Sequence, residues 1–328
     1  MAVTIMPELK KIIDRVQAAD HAGFKQAMNQ LSRKFVAAGD EITAEAIQVE
    51  AEKYTQRHHY QQMQTLPTNS GISMGALYTP AESKEKAKML VLSDENDQML
   101  GELLEIYESR ELFFQEGIPL PTKLLLFGPP GTGKTISAYY LAYKLQLPLV
   151  MVRLDTIIAS HLGETATNIR KIFEYAKKMP CVVFMDEFDA IARKRGGQQD
   201  VQEMSRVVNT LLQCMDEFNS DGVIMAATNL NGDIDPAVSR RFDTKMTFLV
   251  PGEADVEMYI RKIWKAPSLP AEVVNQAREL FKGCTFAEIE QVFLKAKRKA
   301  ILRKEVLHIG LIVEGMQEYF PEGRASEK

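Results

Sequence analysis

The stretch 123-KLLLFGPPGTGKTISAYYLAYKL-145 decides the fold of this 328-residue chain. The apolar run at residues 124–127 has the character of a buried strand, a glycine-rich turn follows it, and "ISAYYLAYKL" has the pattern of a helix. In such a turn successive backbone N–H groups can point at phosphate oxygens, and the helix N-terminus adds about half a unit of positive charge. The stretch therefore predicts a strand, a phosphate-binding loop and a helix, and with them a nucleotide site.

Each part of this loop has a role that its residue type allows. Gly128, Gly131 and Gly133 permit the tight backbone, Lys134 can reach the β and γ phosphates, and the Thr135 hydroxyl can ligate Mg²⁺. An ordinary glycine turn is the alternative, but the strand before it and the helix after it are the setting that a phosphate loop needs. The predicted nucleotide contacts in this segment are Gly128, Pro129, Pro130, Gly131, Thr132, Gly133, Lys134, Thr135 and Ile136.

A pair of acids, Asp186 and Glu187, directly follows the apolar run 182–185 in "CVVFMDEFDAIARKRGG". Because strand C-termini in a parallel sheet face one crevice, these carboxylates are expected to meet the phosphate loop. Asp186 can then hold Mg²⁺ through water, and Glu187 can accept a proton from an attacking water molecule. The alternative is a pair of solvated acids at a strand end. Asp189 is expected to hold the turn.

Five short apolar runs alternate with helical patterns over residues 89–251, which predicts an α/β domain with a parallel five-stranded sheet flanked by helices. After Pro251 the strands stop and helical periodicity continues, so residues 252–328 are predicted to form a small α-helical lid domain. The predicted strands lie at residues 124–127, 149–154, 182–185, 223–227 and 246–250.

The first 88 residues have a different texture. Apolar residues such as Leu9, Ile12, Val16 and Leu31 recur at helical spacing, which predicts a small N-terminal helical domain over residues 1–57. A unit of fewer than about 60 residues has a marginal core, so it is expected to pack on another surface. Residues 58–88 are rich in Gln, Ser, Thr, Pro and Gly and are predicted to be a linker.

Composition argues against several classes of protein. The formal net charge of −4 gives no overall attraction to polyanions, which disfavours a general nucleic-acid or membrane-surface binder. Cys181, Cys214 and Cys284 form no CxxC pair, so neither a disulfide framework nor a cysteine zinc site is expected. No apolar stretch approaches the roughly 18 residues that span a bilayer, and the N-terminus does not have the pattern of a secretory signal. A cytoplasmic protein is the expectation.

Three sequence blocks in order make residues 90–320 resemble the AAA family of the wider AAA+ ATPases. "GPPGTGKT" is similar to the family's Walker A motif, "VVFMDEFDA" to its Walker B motif and "VIMAATNLNGDIDPAVSRRFD" to its second region of homology. The resemblance implies a P-loop AAA+ module followed by the α-helical lid, with ATP and Mg²⁺ bound at the loop. It excludes the N-terminal helices.

The resemblance also assigns residues by position. Asn229 matches sensor one, where a neutral amide can hydrogen-bond the γ-phosphate and the attacking water. Arg240 and Arg241 match the arginine finger, which would reach a neighbouring subunit's nucleotide. The insert that separates the two arginines of the family's "RPGR" is missing, so either can be the finger, and Arg241 is the first choice. A finger that acts in trans implies a closed ring, usually a homo-hexamer in this family.

Three further matches depart from the family pattern. His161 and Leu162 stand where the family has an aromatic–apolar pair that lines the ring pore and grips polypeptide, although this loop can also be a plain strand-to-helix connection. Residues 193–200, "RKRGGQQD", are a second pore-facing candidate or a flexible solvated loop. Ala287 keeps the nucleotide-contacting position at the start of the sensor-two helix, whereas Phe286 replaces the usual glycine.

These features favour a ring ATPase that remodels or unfolds a protein client, recruited directly or through an adaptor by the N-terminal helices. The pattern resembles stand-alone bacterial ATPases with one AAA module, some of them encoded beside subtilisin-like proteases, which leaves a protease partner open. A nucleic-acid-dependent ATPase and a nucleotide-gated scaffold are the alternatives. The basic run 295–304 is expected to be a solvated face or a contact with an acidic protomer rather than a nucleic-acid site.

Overall fold

The structure is a computed structural model that describes residues 6–17, 21–48, 51, 66–69, 72–154, 157, 164–192, 201–218, 221–229, 234–264 and 270–321. The chain divides into two compact units, Met1–Thr65 and Leu66–Lys328. Among the helices of these residues, none is long and apolar enough to cross a bilayer.

The first unit is helical where it is described, as its apolar periodicity predicts. It contains α1 (Met6–Gln17), α2 (His21–Ala37) and a helical stretch at residues 41–48. The Asp40 carboxylate accepts hydrogen bonds from the backbone N–H and the hydroxyl of Thr43, which caps the start of that stretch. The Ser32 hydroxyl donates to the Ala44 carbonyl at 3.1 Å and ties the stretch to α2.

The second unit contains eight described strands: β1 (Thr68–Asn69), β2 (Ile72–Ser73), β3 (Gly75–Tyr78), β4 (Lys123–Phe127), β5 (Leu149–Val152), β6 (Val182–Met185), β7 (Val223–Thr228) and β8 (Thr244–Thr247). Six of them form one sheet in the order β3-β5-β6-β7-β4-β8, and β1 and β2 form a small hairpin before it. The strands β5, β6, β7, β4 and β8 are parallel, and β3 runs antiparallel to β5 at the edge.

The α/β class and the five parallel strands are confirmed, but the number of strands was wrong. The sixth strand, β3, lies inside the predicted linker, as do β1, β2 and helix α3 (Pro80–Ala87). As an edge strand, β3 pairs on one side only, and three of its four residues are only partly buried. The helix begins at a capping box in which Thr79 and Glu82 bond each other's backbone N–H groups, a signal that the polar composition of the segment obscured.

Helices cover both faces of the sheet and bury its central strands. Every residue of β6 and β7 is buried, which explains why these strands are continuous apolar runs rather than alternating ones. Leu124, Leu126, Phe184 and Met225 lie at the centre of this core. The other helices of the layer are α4 (Asp94–Glu108), α5 (Arg110–Gln115), α6 (Lys134–Leu145), α7 (Thr165–Lys178), α8 (Asp189–Ala192), α9 (Val201–Asp216) and α10 (Pro236–Ser239).

Four helices after the sheet form the predicted α-helical lid with its own core. Phe281 and Phe293 stack with ring centroids 5.6 Å apart, among buried Ile260, Ile289 and Leu311. The helices are α11 (Glu253–Trp264), α12 (Ala271–Leu280), α13 (Phe286–Arg303) and α14 (Ile309–Tyr319).

The basic run on α13 is paired within the chain. The Lys299 ammonium lies 3.0 Å from Glu314 and 2.6 Å from Glu318, and the Arg303 guanidinium lies 2.8 Å from Glu314. The carboxylates belong to α14, so the pairs join the two helices. Much of the positive charge of this run is therefore balanced by its own lid.

Candidate active site

The glycine-rich loop joins β4 to α6 and has the backbone that its sequence predicts. Gly128 and Gly131 have φ values of +143° and +77°, a region that side chains disfavour. A Cβ at Gly128 would lie 1.9 Å from the carbonyl oxygen of Phe248, and one at Gly131 would lie 2.7 Å from the Cβ of Ala287. These glycines let the loop fit between the end of the sheet and the lid.

Lys134 begins α6 and is 6% exposed. Its ammonium donates to the carbonyls of Gly128 at 2.6 Å and Pro129 at 2.8 Å, and to the side-chain oxygen of Asn229 at 2.9 Å. Burial lowers the pKa of Lys134, while the carboxylates of Asp186 and Asp189 act in the opposite direction. The cation is thus held at the phosphate loop by contacts that a phosphate can replace.

The Thr135 hydroxyl donates to the Asp186 carboxylate at 2.8 Å, so two predicted magnesium ligands are adjacent. Hydroxyl and carboxylate oxygens suit Mg²⁺, which usually keeps several waters and binds through one or two protein ligands and substrate phosphates. The described residues contain no group of three or more His, Cys, Asp or Glu side chains that could hold a metal alone. The donor set fits a magnesium ion that phosphate oxygens and water complete.

Glu187 lies two residues beyond the end of β6 and lines the same cleft. Its φ of +51° is uncommon for a residue with a side chain, and such backbone outliers cluster at functional sites. Its N–H donates to Asp186 at 2.9 Å. Asp189 accepts from the Thr228 hydroxyl at 3.2 Å, which agrees with its expected role in holding the turn.

The cleft has a volume of about 280 Å³ and brings the phosphate loop, the two acids and Asn229 together with the lid. The Thr132 side chain is buried within the loop rather than lining the cleft, and its hydroxyl donates to the Pro129 carbonyl at 2.8 Å. The residues that line the cleft are Pro130, Gly131, Gly133, Lys134, Thr135, Ile136, Asp186, Glu187, Asn229, Tyr259, Phe286, Ala287 and Glu290.

The lid closes one end of this cleft. The backbone N–H of Ala287 donates to the carbonyl of Gly131 at 3.2 Å, so the start of α13 is bonded to the phosphate loop. Phe286 packs against Tyr259 of α11 with ring centroids 4.9 Å apart. Sequence reasoning placed Ala287 here but missed Tyr259 and Glu290. The signal available for Glu290 was its position four residues after Phe286, on the same helix face.

Arg240 and Arg241 do not line the cleft of their own chain. Arg241 is 31% exposed and donates to the Asp216 carboxylate at 2.8 Å and to the Ala237 carbonyl at 2.7 Å. Arg240 is exposed, and its described contact is one bond from Nε to the Pro236 carbonyl at 3.1 Å. The two adjacent guanidinium groups are therefore in different states, one held and one presented to solvent.

The turn that carries both arginines is fixed to the core beside them. Phe242 meets Phe188 edge to face at 5.7 Å, and Phe188 directly follows Glu187. The Asp243 carboxylate accepts from the Lys123 backbone N–H at 2.9 Å. His161, Leu162 and the segment 193–200 lie outside the described residues, so both pore-loop assignments stay predictions.

Comparison with known proteins places the chain in a family. Residues 124–250 match the family described as "ATPase family associated with various cellular activities (AAA)". The uncharacterized AAA family ATPase y4kL of Sinorhizobium fredii is 40% identical over 227 residues, which are 69% of this chain and 68% of that protein. The chain therefore belongs to the AAA family of ATPases, enzymes that hydrolyse ATP, and the resemblance drawn from its motifs is confirmed.

Two other relatives are considerably longer than the segment in which they match this chain. The ATP-dependent zinc metalloprotease FtsH of Neorickettsia risticii is 34% identical over 62% of this chain, which spans 34% of that protein. A putative 26S proteasome regulatory subunit homolog of Methanocaldococcus jannaschii is 32% identical over 67% of this chain, which spans 57% of it.

A solved structure supports the fold. A chain of the HORMA, CdnC and Trip13 complex from E. coli MS115-1 matches 74% of this chain and 94% of its own length. The TM-score is 0.60 at 21% identity, so the likeness concerns the fold alone.

Proposed function

We propose that this chain works as a homo-oligomeric ring, a hexamer, that couples ATP hydrolysis to the remodelling of a protein client. The observation that supports a ring is the charge of the side chains that line the cleft. Among the described residues that line it, Lys134 is the one cation, whereas phosphoryl transfer in this class of enzyme uses additional positive charge at the transferred group. Arg240 and Arg241 lie outside this cleft, which favours their action in the cleft of a neighbour.

Arg240 is the better candidate for that action. The Nε and Nη1 donors of Arg241 are used within the chain, by Asp216 and Ala237, so a reach into a neighbouring cleft would break both contacts. Arg240 is exposed two residues after the buried Val238, so the anchored turn presents it outward. This proposal reverses the preference for Arg241 that was drawn from the motif, and it makes Arg241 the residue that holds the turn against α9.

Hydrolysis in this proposal divides between the described side chains. Backbone N–H groups of the loop and the Lys134 ammonium bind the triphosphate, and the Thr135 and Asp186 oxygens hold Mg²⁺. That ion supplies positive charge at the phosphate oxygens. Glu187 accepts the proton of the attacking water, and Asn229, released from Lys134, donates to the γ-phosphate or orients the water. Each role rests on a side chain that reaches the same cleft.

In this proposal, nucleotide-driven movement of the lid begins at its contact with the phosphate loop. The Ala287 to Gly131 hydrogen bond joins the first turn of α13 to the loop that cradles the phosphates. A change of nucleotide at the loop therefore acts directly on the lid. In the proposed ring this movement shifts the loop that contains His161 and Leu162, which grips the client.

The client is a protein in this proposal because relatives that match this chain are named for work on proteins. FtsH is a protease, and the archaeal relative is a homolog of a proteasome regulatory subunit. The N-terminal helices would recruit the client or its adaptor, and a separate protease partner remains part of the proposal. We also propose that the site binds ATP with Mg²⁺ and that the protein is cytoplasmic.

A nucleic-acid-dependent ATPase is disfavoured by the pairing of the basic run on α13. Lys299 and Arg303 contact Glu314, so these cations are already neutralised within the lid. A scaffold that barely hydrolyses ATP is disfavoured by the presence of Glu187 and Asn229 at the cleft.

One experiment separates these functions. ATP turnover of the purified protein is measured alone, with a chemically unfolded protein, and with single-stranded DNA at low and high salt. Stimulation by the unfolded protein is expected. Stimulation by DNA alone that fades steeply with salt would indicate a nucleic-acid motor, and slow turnover that Glu187→Gln does not change would indicate a scaffold. Proteins captured by Glu187→Gln with ATP then identify the client.

A further inference from the structure

The lid end of the cleft carries a carboxylate that the nucleotide roles above do not use. Glu290 lines the cleft together with Phe286 and Ala287, and all three belong to α13. Residues three and four positions apart share a helix face, so Glu290 follows the two nucleotide-facing residues along the same side. Tyr259 of α11 completes this end of the cleft.

The orientation of a bound nucleotide follows from the opposite end. Lys134, Asn229 and Glu187 define the γ-phosphate position, and the first turn of α6 faces the remaining phosphates. The nucleoside must then extend away from these residues, towards the lid. Its surroundings there are the aromatic pair of Phe286 and Tyr259 and the carboxylate of Glu290.

The chemistry of Glu290 limits what it can bind. An ionised carboxylate only accepts hydrogen bonds, so it repels phosphates and pairs with donors. The described residues supply no hydrogen-bond or salt-bridge donor to Glu290. Burial raises the pKa of the neighbouring Tyr259, and the charge of Glu290 raises it further. At the nucleoside end of the cleft, the donors of a ribonucleotide nearest to the phosphates are the sugar hydroxyls. Acidic side chains bind ribose hydroxyls in the same manner at dinucleotide sites.

We propose that the Glu290 carboxylate accepts hydrogen bonds from the ribose hydroxyls of the bound nucleotide and makes the site prefer ribonucleotides over their deoxy analogues. The proposal rests on the nucleotide site of the ATPase. In this arrangement the rings of Phe286 and Tyr259 pack against the base, and the Glu290 carboxylate binds the sugar hydroxyls. Because Glu290 is exposed and outside the lid core, its replacement leaves the fold intact.

Calorimetric binding of ADP and of 2′,3′-dideoxy-ADP tests this without hydrolysis, a client or a ring. The wild-type protein is expected to prefer ADP by about tenfold, the value of one charge-assisted hydrogen bond. Glu290→Ala is expected to reduce this preference to about one, mainly by weakening ADP, and Glu290→Gln to retain part of it. Glu279→Gln makes the same change of charge on α12, away from the cleft, and is expected to behave as wild type.

Three outcomes would overturn the proposal. An ADP preference that persists in Glu290→Ala would show that the carboxylate does not contact the sugar. A preference that persists while Glu290→Ala loses its discrimination between ADP and inosine diphosphate would place the carboxylate on the base. Wild-type protein that binds neither ADP nor its dideoxy analogue would remove the nucleotide site itself, which separates that failure from the first two.

Discussion

The ammonium of Lys134 lies 2.9 Å from the side-chain oxygen of Asn229, although 95 residues separate them in sequence. Lys134 follows β4 through the phosphate loop, and Asn229 directly follows β7, the strand paired with β4 on the side away from the edge strand β8. Neighbouring parallel strands thus bring together the cation and the amide that we propose as phosphate ligand and sensor. In the proposed mechanism, the Asn229 amide holds the cation until a phosphate replaces it.

This contact predicts a specific defect for Asn229→Ala. The variant should bind ADP about as well as the wild type, because the loop and Lys134 remain. Its kcat should fall about 100-fold, since one preorganised donor at the transferred phosphate is lost. Steady-state ATP turnover beside ADP calorimetry measures both quantities. A kcat within twofold of wild type would remove Asn229 from the hydrolytic machinery, and Lys134→Ala, which should lose ADP binding, is the comparison.

The contact between Gly131 and Ala287 predicts that the loop is sensitive to a single methyl group. Gly131→Ala should weaken ADP at least tenfold, because its Cβ would lie 2.7 Å from that of Ala287 and force the lid away. Gly117→Ala is the matched control, since Gly117 has a similar φ of +69° with open space around its Cβ position. Both variants carry the backbone strain of a positive φ, about 1–2 kcal/mol, so their melting temperatures should fall together.

Only the clash between residue 131 and Ala287 should lower the affinity for ADP. Adding Ala287→Gly to Gly131→Ala removes the closest atom of the lid and should recover part of the ADP affinity, while Gly117→Ala should bind ADP normally throughout. Equal weakening by Gly131→Ala and Gly117→Ala would mean that strain alone, and not the lid contact, controls the site.

The different states of the two arginines predict different phenotypes. Arg240→Ala should keep ADP binding and stability but lose ATP turnover by at least 10³-fold, the usual effect of an arginine finger. Arg241→Ala should lower the melting temperature, and Asp216→Asn should do the same because it removes the partner. The double variant of Arg241→Ala and Asp216→Asn should be no worse than either alone. Full turnover in Arg240→Ala together with stable, inactive Arg241→Ala would return the finger to Arg241.

The ion pairs between α13 and α14 predict a pH dependence of lid stability. The Arg303 guanidinium and the Lys299 ammonium lower the pKa of Glu314 from 4.5 to about 2. Because the folded pKa lies below the unfolded one, the stabilisation is fully present above pH 4.5 and is lost as the pH falls towards 2. Glu314→Gln should therefore melt below wild type at neutral pH, and this difference should shrink in acid.

Thermal unfolding of both proteins from neutral pH down to about pH 3 measures that difference, with Glu272→Gln as the control for a loss of charge on an exposed lid helix. A difference between wild type and Glu314→Gln that stays constant across the range would show that these pairs do not stabilise the lid. High salt should reduce the difference as well, since the groups are partly exposed to solvent.

The sequence could predict the parts of this molecule that short segments determine. The phosphate loop, Asp186 and Asn229 follow buried apolar runs, and parallel pairing of those runs was sufficient to bring them to one crevice. The edge strand β3 could not be predicted in the same way, because its pairing with β5 depends on residues more than 70 positions away. Polar composition made its surroundings resemble a linker.

Contacts between residues far apart in sequence explain the other features that could not be predicted. Asp216 lies 25 residues before Arg241, at the end of a different helix, so the pairing that separates the two arginines is invisible in the motif. Tyr259 reaches the cleft from α11 only because the lid folds back over the phosphate loop. Residues that reach the cleft through the packing of the lid could not be predicted from the spacing of motifs in the sequence.

A mixing experiment tests most directly whether neighbouring copies share each active site. Glu187→Gln lacks the water-activating acid and Arg240→Ala lacks the finger, so each protein alone should be inactive. In rings formed from equal amounts of both, about a quarter of the clefts combine an intact Glu187 with an intact neighbouring Arg240. We expect ATP turnover to return to about that fraction of wild type. A mixture that forms mixed rings and stays inactive would contradict the account, as would full turnover by wild-type protein that remains monomeric with ATP and Mg²⁺.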